Sequence, residues 1–225
     1  MKFIKKIIYP HKYNTDVFIK YLKQRGVEIG EHTKFINPVN TYVDEQNASY
    51  ISIGNKCCIT AGVTILAHDW SICVVAEKYG QMLPGQRRTI IGNNVFIGLN
   101  SIILSGTVIE DNVVIGAGSV VSGKIEADSV YAGNPARKIM SLEDYFEKCK
   151  KRYIPGAKEY AANFVKIYGR VPKTAEMGCY QTMFIDKEMI SDNMFADSIY
   201  KNAYLGVPKM FDSVQDLIDY KEELF

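Results

Sequence analysis

The stretch IGNNVFIGLNSIILSGTVIEDNVVIGAGSVVSGKIE, residues 91–126, repeats a pattern every six residues. Ile and Val make up roughly a fifth of the chain, so six such residues in a row at this spacing have a chance probability on the order of 10⁻⁴. Glycine often follows the aliphatic residue, and the fifth position of each block is small or β-branched. The same pattern begins upstream at Ile53, with a weaker copy at Ile29. The first positions of the six blocks are Ile91, Ile97, Ile103, Ile109, Ile115 and Val121.

This repeat predicts a stack of short parallel strands around a narrow interior. Side chains two residues apart on a strand point to the same face. The fifth position of one block and the first position of the next are two apart, so we expect both side chains to point inward. The glycine then lies where the chain turns, and three strands complete one coil of a triangular prism. The spacing does not fix the hand of the coils, although crossovers between parallel strands are usually right-handed.

The bulk composition is that of an ordinary globular protein. The chain has 225 residues and a net charge of +2, with no long basic run, which argues against nucleic-acid binding. Five cysteines, an odd number, do not form an obvious disulfide framework, so reduced thiols in the cytoplasm are the simpler interpretation. No run of about 18 apolar residues occurs, so we expect no membrane span.

The N-terminal segment, residues 1–26, is predicted to be helical. Its first ten residues, MKFIKKIIYP, are broken by lysines and ended by proline, so no signal-peptide core forms. The apolar residues of this stretch could form one face of a short basic helix. We expect that face to pack on the body of the protein, with contact to a membrane surface as the alternative. These apolar residues are Phe3, Ile4, Ile7 and Ile8.

Three features of the sequence resemble the hexapeptide-repeat acyltransferases: the repeat itself, IGAGSVV at 115–121 and AGNPARKI at 132–139. Within that family the chain is most similar to sugar O-acetyltransferases, such as maltose and galactoside acetyltransferases and the enzymes that acetylate capsule or lipopolysaccharide sugars. The resemblance implies an all-β solenoid core over residues 27–140, a left-handed parallel β-helix. It also implies a homotrimer, acetyl-CoA as the donor co-substrate, and a small-molecule or oligosaccharide acceptor that the repeat does not identify.

His68 stands where the repeat stops. The block that starts at Ile65 ends at Trp70, but the aliphatic pattern resumes only at Ile91, so a segment longer than three blocks is inserted. This polar excursion loop covers residues 69–88, and a long loop inside a regular solenoid is usually functional. In the family that the chain resembles, the histidine at the base of this loop is catalytic. Imidazole suits the removal of a hydroxyl proton near neutral pH. The alternative is an ordinary surface histidine.

A catalytic histidine needs an acceptor on its second ring nitrogen. Asp44 and Asp69 are the two candidates, and Asp44 is favoured because the family places polar groups on the coil below the histidine. The same resemblance places Asn40 among the acceptor-binding residues. Asp69 and Trp70, which follow the histidine directly, are further candidates for acceptor binding, with Trp70 stacking on a sugar ring or anchoring the loop.

The resemblance also implies where coenzyme A would lie, against backbone groups of the later coils. Small residues there would allow the pantetheine arm to approach, and basic residues could pair with its phosphates. The family usually has Thr-Lys where this chain has Ser-Gly, with lysine one place later at Lys124, so Arg137 becomes the favoured phosphate ligand. The alternative for Arg137 is a solvated surface charge. The donor-site positions are Leu99, Ala117, Ser122, Gly123, Arg137 and Lys138.

Residues 141–225 are predicted to form a helical C-terminal extension. A Ser-x-x-Asp cap at Ser141 starts one helix, AKEYAANFVKIYG at 157–169 predicts a second, and SVQDLIDYKEELF at 213–225 predicts a third. The extension could close the end of the prism, extend a subunit contact or cover the acceptor site.

Other functions on the same fold receive less support from these residues. A zinc hydratase needs three histidine ligands, and the only histidines, His11, His32 and His68, have no useful spacing, so we expect no metal. A non-enzymatic scaffold is disfavoured by the histidine and its loop. An N-acetyltransferase of an amino sugar, or a drug acetyltransferase, remains open.

Overall fold

Three sheets form from fifteen short strands in residues 2–185 and 209–221, the part of the chain that the computed structural model describes. The first sheet contains β1 (Glu28–Ile29), β4 (Ile51–Ile53), β7 (Thr89–Ile91), β10 (Val108–Ile109) and β13 (Lys124–Ile125). The second contains β2 (Lys34–Phe35), β5 (Cys58–Ile59), β8 (Phe96–Ile97), β11 (Val113–Ile115), β14 (Ser129–Gly133) and β15 (Ala136–Ser141). The third contains β3 (Tyr42–Val43), β6 (Thr64–Ile65), β9 (Ile102–Ile103) and β12 (Val120–Val121).

Successive strands visit the three sheets in turn, so three strands make one coil. Each strand from β1 to β11 pairs in parallel with the strand three places later in the chain. In the regular coils the paired Cα atoms, such as those of Ile91 and Ile109, are separated along the chain by the length of three six-residue blocks. The parallel ladders and the three-strand coils agree with the predicted solenoid core.

The interior of the coils holds the residues that the repeat points inward. The six first-position residues of 91–126 are all 2% exposed or less. The fifth-position hydroxyls are also buried, and each donates to a backbone carbonyl: Ser101 Oγ to Gly116 O at 2.9 Å, and Thr107 Oγ1 to Leu104 O at 2.6 Å. Small polar side chains therefore fit the narrow interior without leaving their hydroxyls unsatisfied.

Asparagine side chains link the coils at a corner. Asn55 and Asn93 N–H groups each donate to a side-chain oxygen on the next coil, Asn93 Oδ1 at 2.9 Å and Asp111 Oδ1 at 2.7 Å. Asn94 and Asn112 adopt positive φ angles of 54° and 59°, which asparagine tolerates better than most residues. These residues let the chain turn sharply between the first and second sheets.

The last coil ends in a reversal that the sequence does not predict. Strand β15 pairs with β14 in the antiparallel direction, with Ala132 opposite Arg137. The AGNPARKI segment therefore forms a hairpin, and its second strand runs to Ser141.

Two helices precede the coils. Helix α1 spans Lys2–Ile8 and helix α2 spans Thr15–Arg25, which Asn14 caps and Gly26 ends at a φ of 105°. Helix α2 packs Phe18 and Leu22 into the core of the coils.

The apolar face of α1 behaves differently from the prediction. Ile4, Ile7 and Ile8 are 59%, 65% and 61% exposed, so the expectation that they pack on the body is wrong. The helix instead has its lysine side toward the body, where Lys5 Nζ donates to Asn37 Oδ1 at 3.2 Å. The side chain of Phe3 lies outside the described residues.

The excursion loop lengthens the coil that contains it. Ile53 pairs across the loop with Ile91, whereas Ile91 pairs with Ile109 in a coil of ordinary length. The loop is not wholly irregular: it contains helix α3, Ile72–Tyr79, which Gly80 ends at a φ of 67°.

The chain divides into two compact units, Met1–Tyr145 and Phe146–Phe225. Helix α4 spans Leu142–Tyr168 without a break, whereas the sequence predicts two helices separated near Pro155. Gly156 explains the discrepancy in part, because a Cβ there would lie 2.5 Å from the Tyr180 hydroxyl, so glycine serves close packing rather than a turn. Helix α5 spans Val214–Asp219, and residues 222–225 of the predicted third helix lie outside the described residues.

The second unit has its own small apolar core, formed by residues of α4 and α5 and by residues 177–184. The fully or nearly fully buried members of this core include Ala157, Ala161, Met177, Met183, Val214 and Leu217.

No described helix, α4 included, combines the length and the apolar composition that a bilayer crossing requires.

Two adjacent isoleucines of β9 test whether the first-position residues of the repeat fill the interior of the coils. Ile103 is 0% exposed and Ile102 is 36% exposed. Ile103→Ala should lower the free energy of unfolding by about 2–5 kcal/mol, because it leaves a cavity in a filled interior. Ile102→Ala removes the same atoms from the outer face and should lower the free energy of unfolding by much less. Urea denaturation of both variants measures the difference, and equal losses would contradict the inward assignment of Ile103.

Candidate active site

His68 lies at the point where the second coil opens into the excursion loop. The chain leaves and returns as a short antiparallel pair: Asp69 N donates to Gly85 O at 2.9 Å, and Arg87 N donates to Ala67 O at 2.9 Å. His68 and Gln86 face each other across this pair. The base of the loop is therefore fixed by backbone hydrogen bonds, and the backbone of His68 is fixed with it.

Asp44 reaches His68 from the preceding coil. The β3–β6 ladder pairs Val43 with Ile65, and Asp44 N donates to Ile65 O at 3.0 Å. The Asp44 carboxylate is fully buried, and its Oδ2 accepts hydrogen bonds from His68 Nδ1 and from Ala67 N at 3.1 Å. Of the two carboxylates that the sequence offers as partners, the structure joins Asp44 to the imidazole.

Asn47 completes this cluster, although the sequence does not single it out. Its Nδ2 lies 3.3 Å and 3.2 Å from the two Asp44 oxygens and 3.2 Å from His68 Nδ1. A carboxylate only accepts, so the hydrogen-bond network assigns the proton to His68 Nδ1 and leaves Nε2 as the basic nitrogen. The sequence signal is a polar residue three positions after Asp44, because a turn there, closed by a hydrogen bond from Asn47 N to Asp44 O at 3.3 Å, returns the chain to Asp44.

The environment keeps Asp44 ionised. Burial on its own would raise the pKa of this carboxyl group. The hydrogen bond from His68, followed by those from the Ala67 N–H and Asn47, outweighs burial and holds the pKa of Asp44 below its ordinary value. The ionised carboxylate therefore stands against Nδ1 and fixes the orientation of the imidazole ring.

A cavity of about 590 Å³ opens beside this cluster. His68, whose side chain is 18% exposed, lines it together with Asn47 and Gln86. The Trp70 ring stands nearly edge-on to the imidazole, with centroids 6.0 Å apart, and is 66% exposed. The cavity therefore combines polar groups near the histidine with an apolar wall from the loop. That wall consists of Trp70, Ile72, Met82, Leu83 and Pro84.

Asp69 lines the cavity but shapes the loop rather than the histidine. Its Oδ1 accepts from Ser71 N at 2.9 Å, and its Oδ2 lies 3.6 Å from Arg87 Nη2. Hydrogen bonds from Ser71, with a contribution from the Arg87 charge, hold the pKa of Asp69 below its ordinary value. Asp69 thus remains an anion at the entrance to the loop.

Asn40 is not brought to this cavity. It ends the 3₁₀ segment Pro38–Asn40, is exposed, and does not line the cavity. Asn47 occupies the place that the sequence assigned to Asn40. The difference arises because the first coil is longer than the regular ones: Phe35 pairs with Ile59, which lies four blocks further along the chain rather than three.

The predicted donor positions fall on two corners that flank the third sheet. Leu99 and Ala117 lie on one corner in neighbouring coils, where Gly118 N donates to Leu99 O at 2.7 Å. Ser122 and Gly123 follow β12 on the other corner, which is the corner that carries His68 two coils earlier. All four residues are exposed. Strands of adjacent coils are about 4.8 Å apart, so Ser122 and Gly123, two coils away, lie on the order of 10 Å from the level of His68.

The basic donor residues differ in their present partners. Lys138 Nζ lies 2.8 Å from Glu126 Oε2, and Lys124 Nζ lies 2.8 Å from Glu110 Oε1. Arg137 Nη1 donates to the carbonyl of Ala136 at 2.9 Å and forms no ion pair with the described residues. Arg137 is therefore the basic residue of this group whose charge is least compensated.

Metal-ligating side chains do not cluster in the described part of the chain. Within residues 2–185 and 209–221, no group of three or more His, Cys, Asp or Glu side chains is arranged to hold a metal ion.

Comparison with known proteins gives the family of this chain. Residues 88–122 match the family model described as the hexapeptide repeat of succinyl-transferase. Protein CapG of Staphylococcus aureus is 41% identical over 127 residues, which cover 56% of this chain and 73% of CapG. YvoF of Bacillus subtilis (strain 168), provisionally named an acetyltransferase, is 31% identical over 162 residues, which cover 63% of this chain and 89% of YvoF. The galactoside O-acetyltransferase of Escherichia coli (strain K12) is 36% identical over 104 residues, 46% of this chain and 49% of that enzyme. The chain therefore belongs to the hexapeptide-repeat acyltransferases and is an enzyme of that family.

Proposed function

We propose that this enzyme transfers an acetyl group from acetyl-CoA to a sugar hydroxyl, in the synthesis of a surface polysaccharide such as capsule or lipopolysaccharide. The observation that carries the proposal is the His68–Asp44 pair at the edge of the loop cavity. A positioned imidazole with a carboxylate behind it is suited to activating a hydroxyl group. The similarity to a galactoside O-acetyltransferase supports a sugar as the acceptor.

His68 acts as the general base in this proposal. Its Nε2 takes the proton of the acceptor hydroxyl while the hydroxyl oxygen attacks the thioester carbonyl carbon. The C–S bond then breaks, and the imidazolium returns the proton to the departing thiolate, so the reaction yields an ester and a thiol without any other reactant. Asp44 stabilises the imidazolium between these two steps, because its charge stands against Nδ1.

The loop cavity would hold the acceptor. Its apolar wall offers the exposed Trp70 ring to the face of a sugar, while Asn47, Gln86 and Asp69 supply polar groups that could bind hydroxyls. In this assignment Asn47 takes over the acceptor-side role that the sequence gave to Asn40.

The late coils would hold the donor. Gly118 and Gly123 have positive φ angles of 68° and 75°, and a Cβ added to either would meet nothing within 4 Å. The backbone around Ala117 and Ser122 is therefore open to a long, narrow ligand such as the pantetheine arm. Arg137 and Lys138 would bind its phosphates, and Lys138 would leave Glu126 to do so.

Three further proposals follow from the family resemblance. The coils wind in the left-handed sense, three subunits assemble into a homotrimer, and the enzyme works in the cytoplasm. The odd number of cysteines, five, supports a reducing compartment. The domain boundaries, at residues 1–26, 27–140 and 141–225, stay predictions from the sequence.

Incubation with acetyl-CoA and a panel of acceptors tests the proposal directly. The panel should contain nucleotide sugars, oligosaccharides, amino sugars and a macrolide, with release of the coenzyme A thiol as the readout. We expect turnover with a hydroxyl-bearing sugar, and His68→Ala should lower it by about 10²–10⁴. His11→Ala, a change at an exposed histidine outside the cavity, is the matched control. Near-normal turnover by His68→Ala would remove His68 from the mechanism, and turnover only with amines would favour N-acetylation.

The donor assignment predicts a separate effect on coenzyme A binding. Arg137→Ala should raise the Kd for coenzyme A about ten- to a hundredfold through loss of a charged hydrogen bond, and Ala117→Leu should also weaken binding by filling the groove. Arg152→Ala, at an exposed arginine of α4, should leave the Kd unchanged. Calorimetric titration measures all three. Unchanged affinity in both groove variants would place the donor elsewhere.

The lowered pKa of Asp44 predicts how its contribution to stability depends on pH. Because the folded-state pKa lies below the ordinary value of 3.8, the stabilisation by ionised Asp44 is complete above that pH and is lost as the pH falls through the folded-state pKa. The difference in unfolding free energy between the natural protein and Asp44→Asn should be larger at about pH 5 than at about pH 3 and should narrow steadily between them. Urea denaturation across this range measures it, and a difference that widens in acid would contradict the assignment.

A further inference from the structure

Helix α1 presents its apolar side to solvent. The helical period of 3.6 residues places Ile4, Ile7 and Ile8 within a stripe about 100° wide. All three are more than half exposed, and Tyr9 directly after the helix is 41% exposed. A helix on the surface of a globular protein normally turns such a stripe toward the core.

The polar side of α1 is the side that meets the body of the protein. Lys5 Nζ donates to Asn37 Oδ1 at 3.2 Å, and Lys6 Nζ lies 5.2 Å from the centre of the Tyr13 ring. The helix is therefore oriented in reverse of an amphipathic helix that packs on its own protein, because its apolar side faces solvent and its lysine side faces the body. Its exposed isoleucines require a partner beyond the described residues if they are to leave water.

The charge around this stripe is of one sign. Residues 1–13 contain four lysines and no Asp or Glu, although the whole chain is nearly balanced, with 27 basic and 25 acidic residues. Asp16 is the first acidic residue. An apolar stripe with lysines beside it and no carboxylate matches a partner that is negatively charged at its surface and apolar beneath.

We propose that α1 docks on an anionic lipid surface. Ile4, Ile7 and Ile8 enter the boundary between head groups and acyl chains, while the lysines on the opposite side of this thin helix remain within a Debye length of the anionic head groups and are attracted to them. The hydrogen bond from Lys5 to Asn37 joins α1 to the body, so a docked helix holds the rest of the protein at the lipid surface. This association is peripheral and reversible, and it is independent of the acetyl-transfer chemistry proposed above.

A second copy of the chain is a poorer partner for this stripe. Packing α1 on α1 would bring two positively charged segments close together, with no Asp or Glu in residues 1–13 to offset the repulsion. Three isoleucines and one tyrosine also offer much less area than the roughly 800 Å² per partner that a stable protein interface buries. A lipid surface needs no such area, because it supplies apolar depth and negative charge over its whole extent.

Co-sedimentation of the full chain with lipid vesicles tests the proposal. Vesicles of phosphatidylcholine with about one third phosphatidylglycerol should bind the protein, and vesicles of phosphatidylcholine alone should bind much less. Each lysine near an anionic surface contributes about fivefold to the partition coefficient, so Lys6→Gln should lower it by about that factor, and added salt should weaken binding further.

Two isoleucine variants separate the stripe from general surface hydrophobicity. Ile7→Ser removes a side chain that is 65% exposed in α1, and Ile167→Ser removes one that is 71% exposed in α4. Ile7→Ser should weaken vesicle binding, the triple change Ile4→Ser, Ile7→Ser and Ile8→Ser should abolish it, and Ile167→Ser should leave it unchanged. Circular dichroism checks that the variants remain folded.

Three results would overturn the proposal. The first is no sedimentation with either vesicle type, or equal sedimentation with both. The second is vesicle binding that persists in the triple variant. The third is a fall in the molecular mass of the triple variant in vesicle-free solution, which would identify a second copy of the chain as the partner of α1.

Discussion

The interior of each coil has room for one layer of side chains, and the rest of the structure depends on that width. The aliphatic residues at every sixth position are almost fully shielded from water, from Ile91 at 2% exposure to Val121 at 0%. The inward hydroxyls need acceptors in the same narrow space, and Thr107 and Ser119 find theirs in the carbonyl three residues earlier. An insertion within a strand would disrupt both the apolar column and these bonds, so additional chain leaves the stack at a corner.

The His68–Asp44 pair inherits its geometry from the stacking of the coils. The two residues are far apart in the chain, but the β3–β6 ladder fixes the Asp44 backbone beside the end of β6. A buried carboxylate without donors would be strongly destabilised. Donors from His68, Ala67 and Asn47 surround this one, so the contacts that make its burial tolerable are also those that orient the imidazole. Stability and the proposed catalysis therefore rest on one cluster.

The six-residue period predicts the strands well, because one aliphatic and one small side chain per strand leave few ways to fill the interior. It also directs attention to His68, which lies in the last block before the period is interrupted. It gives no reliable guide where the chain departs from it: the coil that contains Phe35 is one block longer than the regular coils, so the period does not separate Asn40 from Asn47. Local propensity likewise treats Pro155 as a break, because the close approach of Tyr180 that favours Gly156 within a helix is a tertiary contact.

The coil and the loop make different contributions to the candidate site. The histidine and its partners are held by ladder hydrogen bonds and by the closed base of the loop, which rejoins the coil at Thr89, where the side-chain hydroxyl donates to Leu66 O at 2.6 Å. The apolar wall of the cavity, by contrast, comes from the part of the loop beyond this base, including Ile72 and Met82. Under the proposed function, substitutions in the wall change which acceptor fits without moving the Asp44–His68 pair. The proposal therefore assigns the chemistry to the repeat and the choice of acceptor to the segment that interrupts it.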